Sequence, residues 1–257
     1  MQILKRNLEN SLDHVKLYVL ADLHKGDKHF SQHAYNKFLK EIKDDPNAYL
    51  ILNGDLMDNA LPESPSDNFS ATLTPDKQLD ELCTDLSPIV DKILAIHTGN
   101  HELRTYKKTG LDPTKELARG LHLEQLYSAD PYMLFLGFGK NLGRDNRLTV
   151  YSIYGKHGSG GGRKVGSKLN RVVDMADNTD ADIYIHSHTH VPCGTKDRYY
   201  RVNYKDRCVT PYTRLYVNSS AFLDFGGYGE SLGFRPASLD FPHIILNGNH
   251  KEAKLIL

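Results

Sequence analysis

The sequence predicts an alternation of β-strands and α-helices, as in α/β or α+β proteins. Three apolar runs carry this prediction, at residues 15–21, 49–52 and 93–97, and each is followed at once by polar side chains. Short apolar runs of this kind are typical of buried strands. Segments with helical spacing separate them, so we expect polar side chains to gather on the loops past the strand ends.

The connecting segments of the first half can be assigned in chain order. Residues 34–42 carry apolar side chains at helical spacing, which predicts a helix. Residues 59–75 are rich in Pro, Ser, Asn and Thr, which indicates an ordered excursion or a lid rather than a domain linker. A second helix is predicted over 76–86, and Asp112-Pro113 is typical of a further helix start.

The second half of the chain predicts more strands and one more helix. Residues 148–154 indicate a strand, a glycine-rich turn at 158–162 opens a helix over 164–175, and residues 183–185 indicate another buried strand. The remaining apolar segments indicate antiparallel strands at 198–203, 207–209, 214–217 and in a pair within 244–257.

Length and composition limit the classes of protein that this chain can form. Its 257 residues suffice for one substantial core, so we expect a single domain over residues 1–257. The 32 Lys and Arg balance 32 Asp and Glu, which argues against nucleic-acid binding through bulk positive charge but leaves a local basic patch open. The chain has three Cys without a Cys-x-x-Cys pair, which suits a reducing compartment. It has no apolar run of ~18 residues and no secretory signal, so we expect a soluble cytoplasmic protein without a membrane partner.

Potential metal ligands follow five of the predicted strands. Each fragment alone is a weak signal, because a single Asp or His in a loop is more often structural. Every one of the five fragments follows an apolar run, so the fold would bring them together at one sheet edge. A mixture of carboxylates and imidazoles suits ions such as Mn, Fe or Zn. The fragments are Asp22-x-His24, Gly54-Asp55-x-x-Asp58, Gly99-Asn100-His101-Glu102, His157 and His188-x-His190.

This ordered set resembles the calcineurin-like metallophosphoesterase family, from Asp22 to His190. The resemblance implies a four-layer α/β/β/α sandwich, in which two mixed β-sheets are flanked by helices and the C-terminal strands close the second sheet. One departure is visible, since Ser187 stands where the family usually has Gly before the last His-x-His. This substitution concerns backbone freedom and not a ligand.

The resemblance also implies roles for individual residues. It implies two divalent ions bridged by Asp55, with manganese favoured and iron, zinc or nickel as alternatives. His101 would protonate the leaving oxygen or stabilise its charge, and Asp58 would orient His101. The implied ligands of the first ion are Asp22, His24, Asp55 and His190, and those of the second are Asp55, Asn100, His157 and His188.

The implied chemistry is hydrolysis of a phosphoester. Two divalent ions ~3.5–4 Å apart lower the pKa of a shared water, so that a bridging hydroxide forms at neutral pH, and they stabilise the oxygens of an in-line displacement at phosphorus. The sequence therefore predicts a metal-dependent hydrolase.

The type of ester is predicted from the second motif. Asn59 follows Asp58 where the protein phosphatase branch has Arg, so one phosphate-binding guanidinium of that branch is missing. The Gly-Asp-Leu-x-Asp form is more similar to the nuclease and phosphodiesterase branches, which favours a diester in nucleotides, DNA or RNA. A phosphomonoesterase or phosphoprotein phosphatase is the alternative, and a non-catalytic scaffold of the same fold is a weaker one.

Basic residues near the motifs are candidates for binding the substrate. Arg104 follows the Gly-Asn-His-Glu motif, and the glycine-rich turn at 158–162 is followed by Arg163 and Lys164. Backbone N–H groups at a helix start and flanking cations suit a substrate phosphate, although a flexible turn with solvated charges explains the segment equally well. The segment is not a P-loop, because Ser167-Lys168 has the reverse of the required order.

Overall fold

The computed structural model describes residues 1–62, 64, 69–143, 145–162, 164–226 and 238–257. Within these ranges the chain forms two six-stranded β-sheets and five α-helices. The strands are β1 Gln2–Asn7, β2 His14–Leu20, β3 Ala48–Asn53, β4 Ile93–His97, β5 Tyr127–Ser128, β6 Tyr132–Phe138, β7 Thr149–Gly155, β8 Ile183–His186, β9 Cys193–Asn203, β10 Cys208–Asn218, β11 His243–Asn247 and β12 Ala253–Ile256. The helices are α1 Gln32–Asp44, α2 Pro75–Leu86, α3 Asn100–Thr109, α4 Pro113–Gly120 and α5 Val165–Val173.

Both sheets are mixed. The first has the order β12-β11-β2-β3-β4-β5, and its strands β2 to β5 are parallel whereas β11 pairs antiparallel with β2 and with β12. The second has the order β1-β6-β7-β8-β10-β9. In it β1 pairs parallel with β6, and β8 pairs parallel with β7 and β10, whereas β6–β7 and β10–β9 are antiparallel pairs. The predicted pair of mixed sheets flanked by helices is confirmed.

Three apolar clusters show how the layers stack. One cluster lies between the sheets and includes Leu17, Ile51 and Ile153. A second cluster joins the other face of the first sheet to α1, α2 and α4, and a third joins the second sheet to α5. The layers therefore follow the order helix, sheet, sheet, helix, and each large side chain buried in them contributes roughly 1.5–3 kcal/mol.

The composition of β2 follows from its place between two layers. Leu17 and Val19 point into the cluster between the sheets, whereas Tyr18 and Leu20 point into the cluster under the helices. Because alternate side chains of a strand lie on opposite faces, a strand covered on both faces is apolar throughout. This is why residues 17–21 are all apolar, whereas the half-buried Lys16 near the start of the strand pairs with Asp45.

Some elements differ from the sequence predictions. The three short segments predicted between 198 and 217 belong to one hairpin of two long strands, β9 and β10. The edge strand β1 was not predicted, because it mixes charged residues with apolar ones on an exposed face. Its neighbour β6 was also not predicted, although its residues are apolar and mostly buried. The last two strands, β11 and β12, extend the first sheet and not the second.

The excursion after β3 is described only in part, so the prediction of a lid over residues 59–75 lies partly outside the described residues. At its far end the N–H of Thr72 donates to the carbonyl of Gly26 at 2.8 Å, which ties it to the loop after β2. None of the described helices has the length and apolar character needed to cross a bilayer.

Candidate metal centre

The predicted ligands meet where the carboxyl ends of strands from both sheets come together. Asp22 follows β2, Asp55 follows β3, and Asn100 begins α3 just after β4. In the second sheet, His157 follows β7 and His188 follows β8. The strand order explains the convergence, because β2, β3 and β4 are neighbours in one sheet and β7 and β8 are neighbours in the other.

The candidate ligand atoms form adjoining groups. His157 Nε2 lies 3.1 Å from Asp55 Oδ2 and 3.9 Å from Asp22 Oδ1, so the groups share one cleft. Within each group, the carboxylate or imidazole atoms all lie within 4.8 Å of one another. The groups are Asp22, His24 and His190; Asp55, His157 and His188; and His24, Asp58 and His101.

The backbone at five of the predicted ligands is in the left-handed region. The φ angles are 51° at Asp22, 50° at His24, 50° at Asp55, 66° at His188 and 59° at His190. Non-glycine residues adopt such angles rarely, at roughly 1–3 kcal/mol each, and they cluster at functional sites. The packed strand ends hold these residues in conformations that turn their side chains into one cleft.

Two glycines allow the loops after β3 and β4 to approach closely. Gly54 has a φ of 85°, which favours glycine. A Cβ atom on Gly99 would lie 2.1 Å from the backbone nitrogen of Asp55 and 2.2 Å from its Oδ1. A side chain at Gly99 would therefore displace Asp55 from the cleft.

Two ligand atoms in the cleft are buried without a hydrogen bond. They are Asn100 Oδ1 and His157 Nε2. The other ring nitrogen of His157 lies 2.8 Å from the carbonyl of Asn53, so Nδ1 donates to that carbonyl and Nε2 is the ring atom that faces the cleft. Buried polar atoms are rarely left unpaired, and an oxygen and an imidazole nitrogen are both donors for first-row divalent ions. The residues present fit a metal centre.

His24 and His190 face each other across the cleft. Their Nε2 atoms lie 3.1 Å apart, and His190 Nε2 is 3.5 Å from Asp22 Oδ1. Burial, and then the neighbouring His101 and His190, hold the pKa of His24 well below its usual value. A neutral imidazole is the form that binds metal ions.

Asp55 and His157 form the electrostatic centre of the cleft. Burial alone would raise the pKa of Asp55, but His157 and His101 outweigh it and hold that pKa well below its usual value. Burial alone would lower the pKa of His157, but the Asp55 and Asp22 carboxylates outweigh it and raise the pKa to about 10. The carboxylates thus favour a positive charge at this point, which a divalent ion also supplies.

His101 is oriented through its ring nitrogen Nδ1. This atom lies 2.7 Å from the main-chain carbonyl of Asp58, whereas the Asp58 carboxylate is 3.6 Å away, beyond hydrogen-bond distance. With Nδ1 donating to the carbonyl, Nε2 faces the cleft at 3.9 Å from Asp55 Oδ2. Burial would lower the pKa of His101, but Asp55 outweighs it and raises the pKa.

Glu102 joins the two loops that carry the centre. Its carboxylate is buried and accepts the N–H groups of Asp55 at 3.1 Å, Met57 at 3.0 Å and Gly99 at 3.1 Å. Burial, and then the Asp55 carboxylate, raise the pKa of Glu102. Glu102 therefore sets the position of the Asp55 backbone directly.

Ser187 takes part in a buried network beneath the centre. Asn53 Nδ2 donates to the Ser187 hydroxyl at 2.7 Å, and the Ser219 hydroxyl donates to it at 2.9 Å. Asn53 in turn holds His157 through its carbonyl. The departure from the family pattern thus adds hydrogen bonds between β3, β8 and β10.

The predicted substrate-binding residues lie in different surroundings. Burial lowers the pKa of Arg104 while the Asp55 and Asp58 carboxylates oppose the shift, which places its guanidinium within range of the cleft. Lys164 is exposed at the start of α5. Arg163 lies outside the described residues.

A cavity of about 230 Å³ adjoins the centre and was not predicted. It lies between the loop after β4 and the loop after β7, and both Asn100 and His157 line it. Two sequence features bear on it: Lys156, a cation directly before a predicted ligand, and the glycine-rich turn at 158–162, of which Gly158 and Ser159 line the cavity. The other lining side chains come from segments far apart in the chain, among them His97, Leu103, Ala129 and Pro131.

The fold and the cleft are those of a metallophosphoesterase, with carboxylates and imidazoles on the loops where two mixed sheets meet. Residues 15–192 match the family model of the calcineurin-like phosphoesterases, and the chain belongs to this family. Members of the family typically bind two metal ions and act on phosphoesters. No curated protein matches the chain significantly.

Several solved structures are similar to this chain at low identity. A predicted phosphoesterase from Streptococcus pneumoniae has 13% identity and a TM-score of 0.36, with 96% of this chain and 99% of that chain covered. Vps29 from Chaetomium thermophilum has 13% identity and a TM-score of 0.42, with 94% of each chain covered. A putative 5'-nucleotidase from Staphylococcus aureus has 14% identity and a TM-score of 0.41, with 95% of this chain and 54% of that chain covered.

Proposed function

We propose that this protein is a metal-dependent phosphodiesterase that acts on nucleotides or nucleic acid. The observation that carries the proposal is that two buried ligand atoms, Asn100 Oδ1 and His157 Nε2, make no hydrogen bond inside a cleft of carboxylates and imidazoles. Membership of a phosphoesterase family supports the reaction class. Manganese is the favoured ion, and the cytoplasm is the expected compartment.

The proposed ligand sets keep Asp55 as the shared residue. Its carboxylate adjoins His157 and, at greater distance, His101, which supports a central position. The first ion would be held by Asp22, His24, Asp55 and His190, and the second by Asp55, Asn100, His157 and His188. Two ions held there would activate a water at neutral pH and neutralise the phosphoryl oxygens.

His101 is the proposed proton donor to the leaving oxygen. Its Nδ1 is occupied by the Asp58 carbonyl, so Nε2 is the atom that faces substrate. The Asp55 carboxylate raises the pKa of His101, and the protonated imidazole is the form that donates a proton. Asp58 positions this ring through its main chain, and Arg104 is a candidate for binding a phosphoryl oxygen.

The surroundings of Asn59 support a diester over a phosphoprotein substrate. Its side-chain amide donates to the carbonyl of His101 at 2.6 Å and to the hydroxyl of Thr105 at 2.9 Å. Asn59 therefore fastens the start of α3 and supplies no guanidinium for a phosphate. The alternatives are a phosphomonoesterase or phosphoprotein phosphatase, and a non-catalytic scaffold.

The test is hydrolysis of bis-p-nitrophenyl phosphate and p-nitrophenyl phosphate by the full-length protein with Mn ions. We expect the diester to be the better substrate; a preference for the monoester selects the alternative, and no hydrolysis of either ester selects the scaffold. Asp55→Asn should lose both bound metal and activity, whereas His101→Asn should retain metal and lose rate. His33→Asn, on the exposed face of α1, is the matched control and should behave as the wild type.

A further inference from the structure

The cavity beside the candidate metal centre lies to one side of the proposed reacting position. Asn100 and His157 line it, whereas Asp22, His24 and His101 do not. A group in this cavity would therefore be next to the ester that is hydrolysed and not the ester itself. Its volume of about 230 Å³ is below the ~300–1,000 Å³ of sites for drug-sized ligands, so it suits one small group of a larger substrate.

The charge of this cavity favours an anion. Lys156 lines it, and its Nζ forms no ion pair with any carboxylate among the described residues. The lining residues that the structure describes include no Asp or Glu. Asp130 lies in sequence between two lining residues, Ala129 and Pro131, without lining the cavity itself.

Two residues that line the same space have backbone N–H groups without an acceptor among the described residues. Gly158 and Ser159 line the cavity, and their N–H groups donate to no acceptor within the described part of the chain. Gly158 has a φ of 102°, and a Cβ there would lie 2.1 Å from His186 Nε2, so this turn requires glycine. Successive free N–H groups in a turn of this kind form a concavity that binds anions.

Another part of the cavity wall is apolar. Leu103, Ala129 and Pro131 line it, and they suit contact with a sugar or a base edge and not with a second cation. A small anionic group attached to a partly apolar body matches these two walls. In a nucleotide substrate that group is a phosphate.

We propose, on the basis of the function proposed above, that this cavity binds a second, non-scissile phosphate of the substrate through Lys156 and the N–H groups of Gly158 and Ser159. The substrates of this protein would then be nucleotides or oligonucleotides in which another phosphate neighbours the hydrolysed one. Lys156 discriminates such substrates from diesters that carry a single phosphate.

The test compares three thymidine dinucleotides in the metal-loaded protein: one without a terminal phosphate, one with a 5′-phosphate and one with a 3′-phosphate. The wild type should hydrolyse one of the phosphorylated forms with a kcat/KM about tenfold to a hundredfold above the unphosphorylated form, mainly through KM. Which terminus is preferred gives the polarity of the bound strand. Lys156→Gln should bring this ratio close to one, Lys156→Arg should retain it in part, and Lys140→Gln, on an exposed turn, should leave it unchanged.

Two further measurements separate the possible failures. Ser159→Glu places a carboxylate at the exposed rim of the cavity and should reverse the preference, which covers the case in which Lys156→Gln folds poorly. Calorimetric binding of dinucleotides with an internal methylphosphonate needs no turnover, so it tests the cavity even if the protein hydrolyses no ester. The proposal is overturned if a terminal phosphate changes neither kcat/KM nor binding. It is also overturned if Lys156→Gln lowers kcat/KM for all three substrates by the same factor.

Discussion

Glu102→Gln tests whether one buried carboxylate holds the two metal-binding loops together. In the structure Oε2 accepts the N–H groups of Asp55 and Gly99, and Oε1 accepts the N–H group of Met57. An amide has one acceptor oxygen, so at least one of these three N–H groups must lose its partner and face an NH₂ group instead.

The expected cost follows from those bonds. A hydrogen bond to a charged acceptor contributes ~1.5–3 kcal/mol, and the bonds that remain become weaker when the acceptor is neutral. We expect Glu102→Gln to lower the free energy of unfolding by about 2–4 kcal/mol. Because Asp55 shifts with its backbone, the affinity for Mn ions should also fall by ~10–100-fold.

The assay is urea unfolding of the full-length protein, together with calorimetric titration of Mn ions. Glu116→Gln is the matched control, because Glu116 pairs with Arg119 on the partly exposed surface of α4 and should cost less than ~0.5 kcal/mol. Burial and the Asp55 carboxylate raise the pKa of Glu102, which favours its protonated form. A Glu102→Gln protein as stable as the control would show that Glu102 is protonated in the native state, which refutes the reasoning from three accepted hydrogen bonds.

Two further substitutions test the backbone and the network around the centre. Gly99→Ala should lower Mn affinity at least tenfold and stability by ~1–3 kcal/mol, because its Cβ would lie 2.1 Å from the nitrogen of Asp55. Gly161→Ala, where a Cβ meets nothing within 4 Å, is the control, and equal Mn affinities for the two variants in titration calorimetry would contradict the close approach. Ser187→Gly restores the residue usual in the family, yet thermal unfolding should show a loss of ~1–3 kcal/mol because Asn53 Nδ2 loses one of its two partners and keeps only the Lys156 carbonyl. An unchanged or higher stability would show that the hydroxyl contributes nothing.

Much of the fold was predictable because its central strands have a local signature. The strand predicted at 93–97 has the bounds of β4, and the apolar runs before Asp22 and Asp55 correspond to β2 and β3. A strand buried on both faces is apolar in sequence whatever its partners are. Edge strands lack this signature, since one side of β1 faces solvent, and its pairing with β6 depends on contacts 130 residues apart in the chain.

The candidate site was predictable to the level of residue types and not to the level of atoms. The order of Asp, Asn and His residues after the strands indicated a metal centre, and the structure places six predicted His and Asp ligands in adjoining groups. The separate roles of the seven predicted ligands, the single-domain organisation and the compartment remain predictions.

The sequence by itself determined which side chains could bind metal, because ligand chemistry belongs to the residue and the strand ends can be read from local apolar patterns. The tertiary structure alone decided how those side chains are held: Glu102 reaches Asp55 across 47 positions, and Asn53 reaches Ser187 across 134. It also decided that Lys156 shares a cavity with Leu103 and Pro131. Such contacts depend on which strands lie side by side, and that arrangement exists only when the two sheets pack against each other.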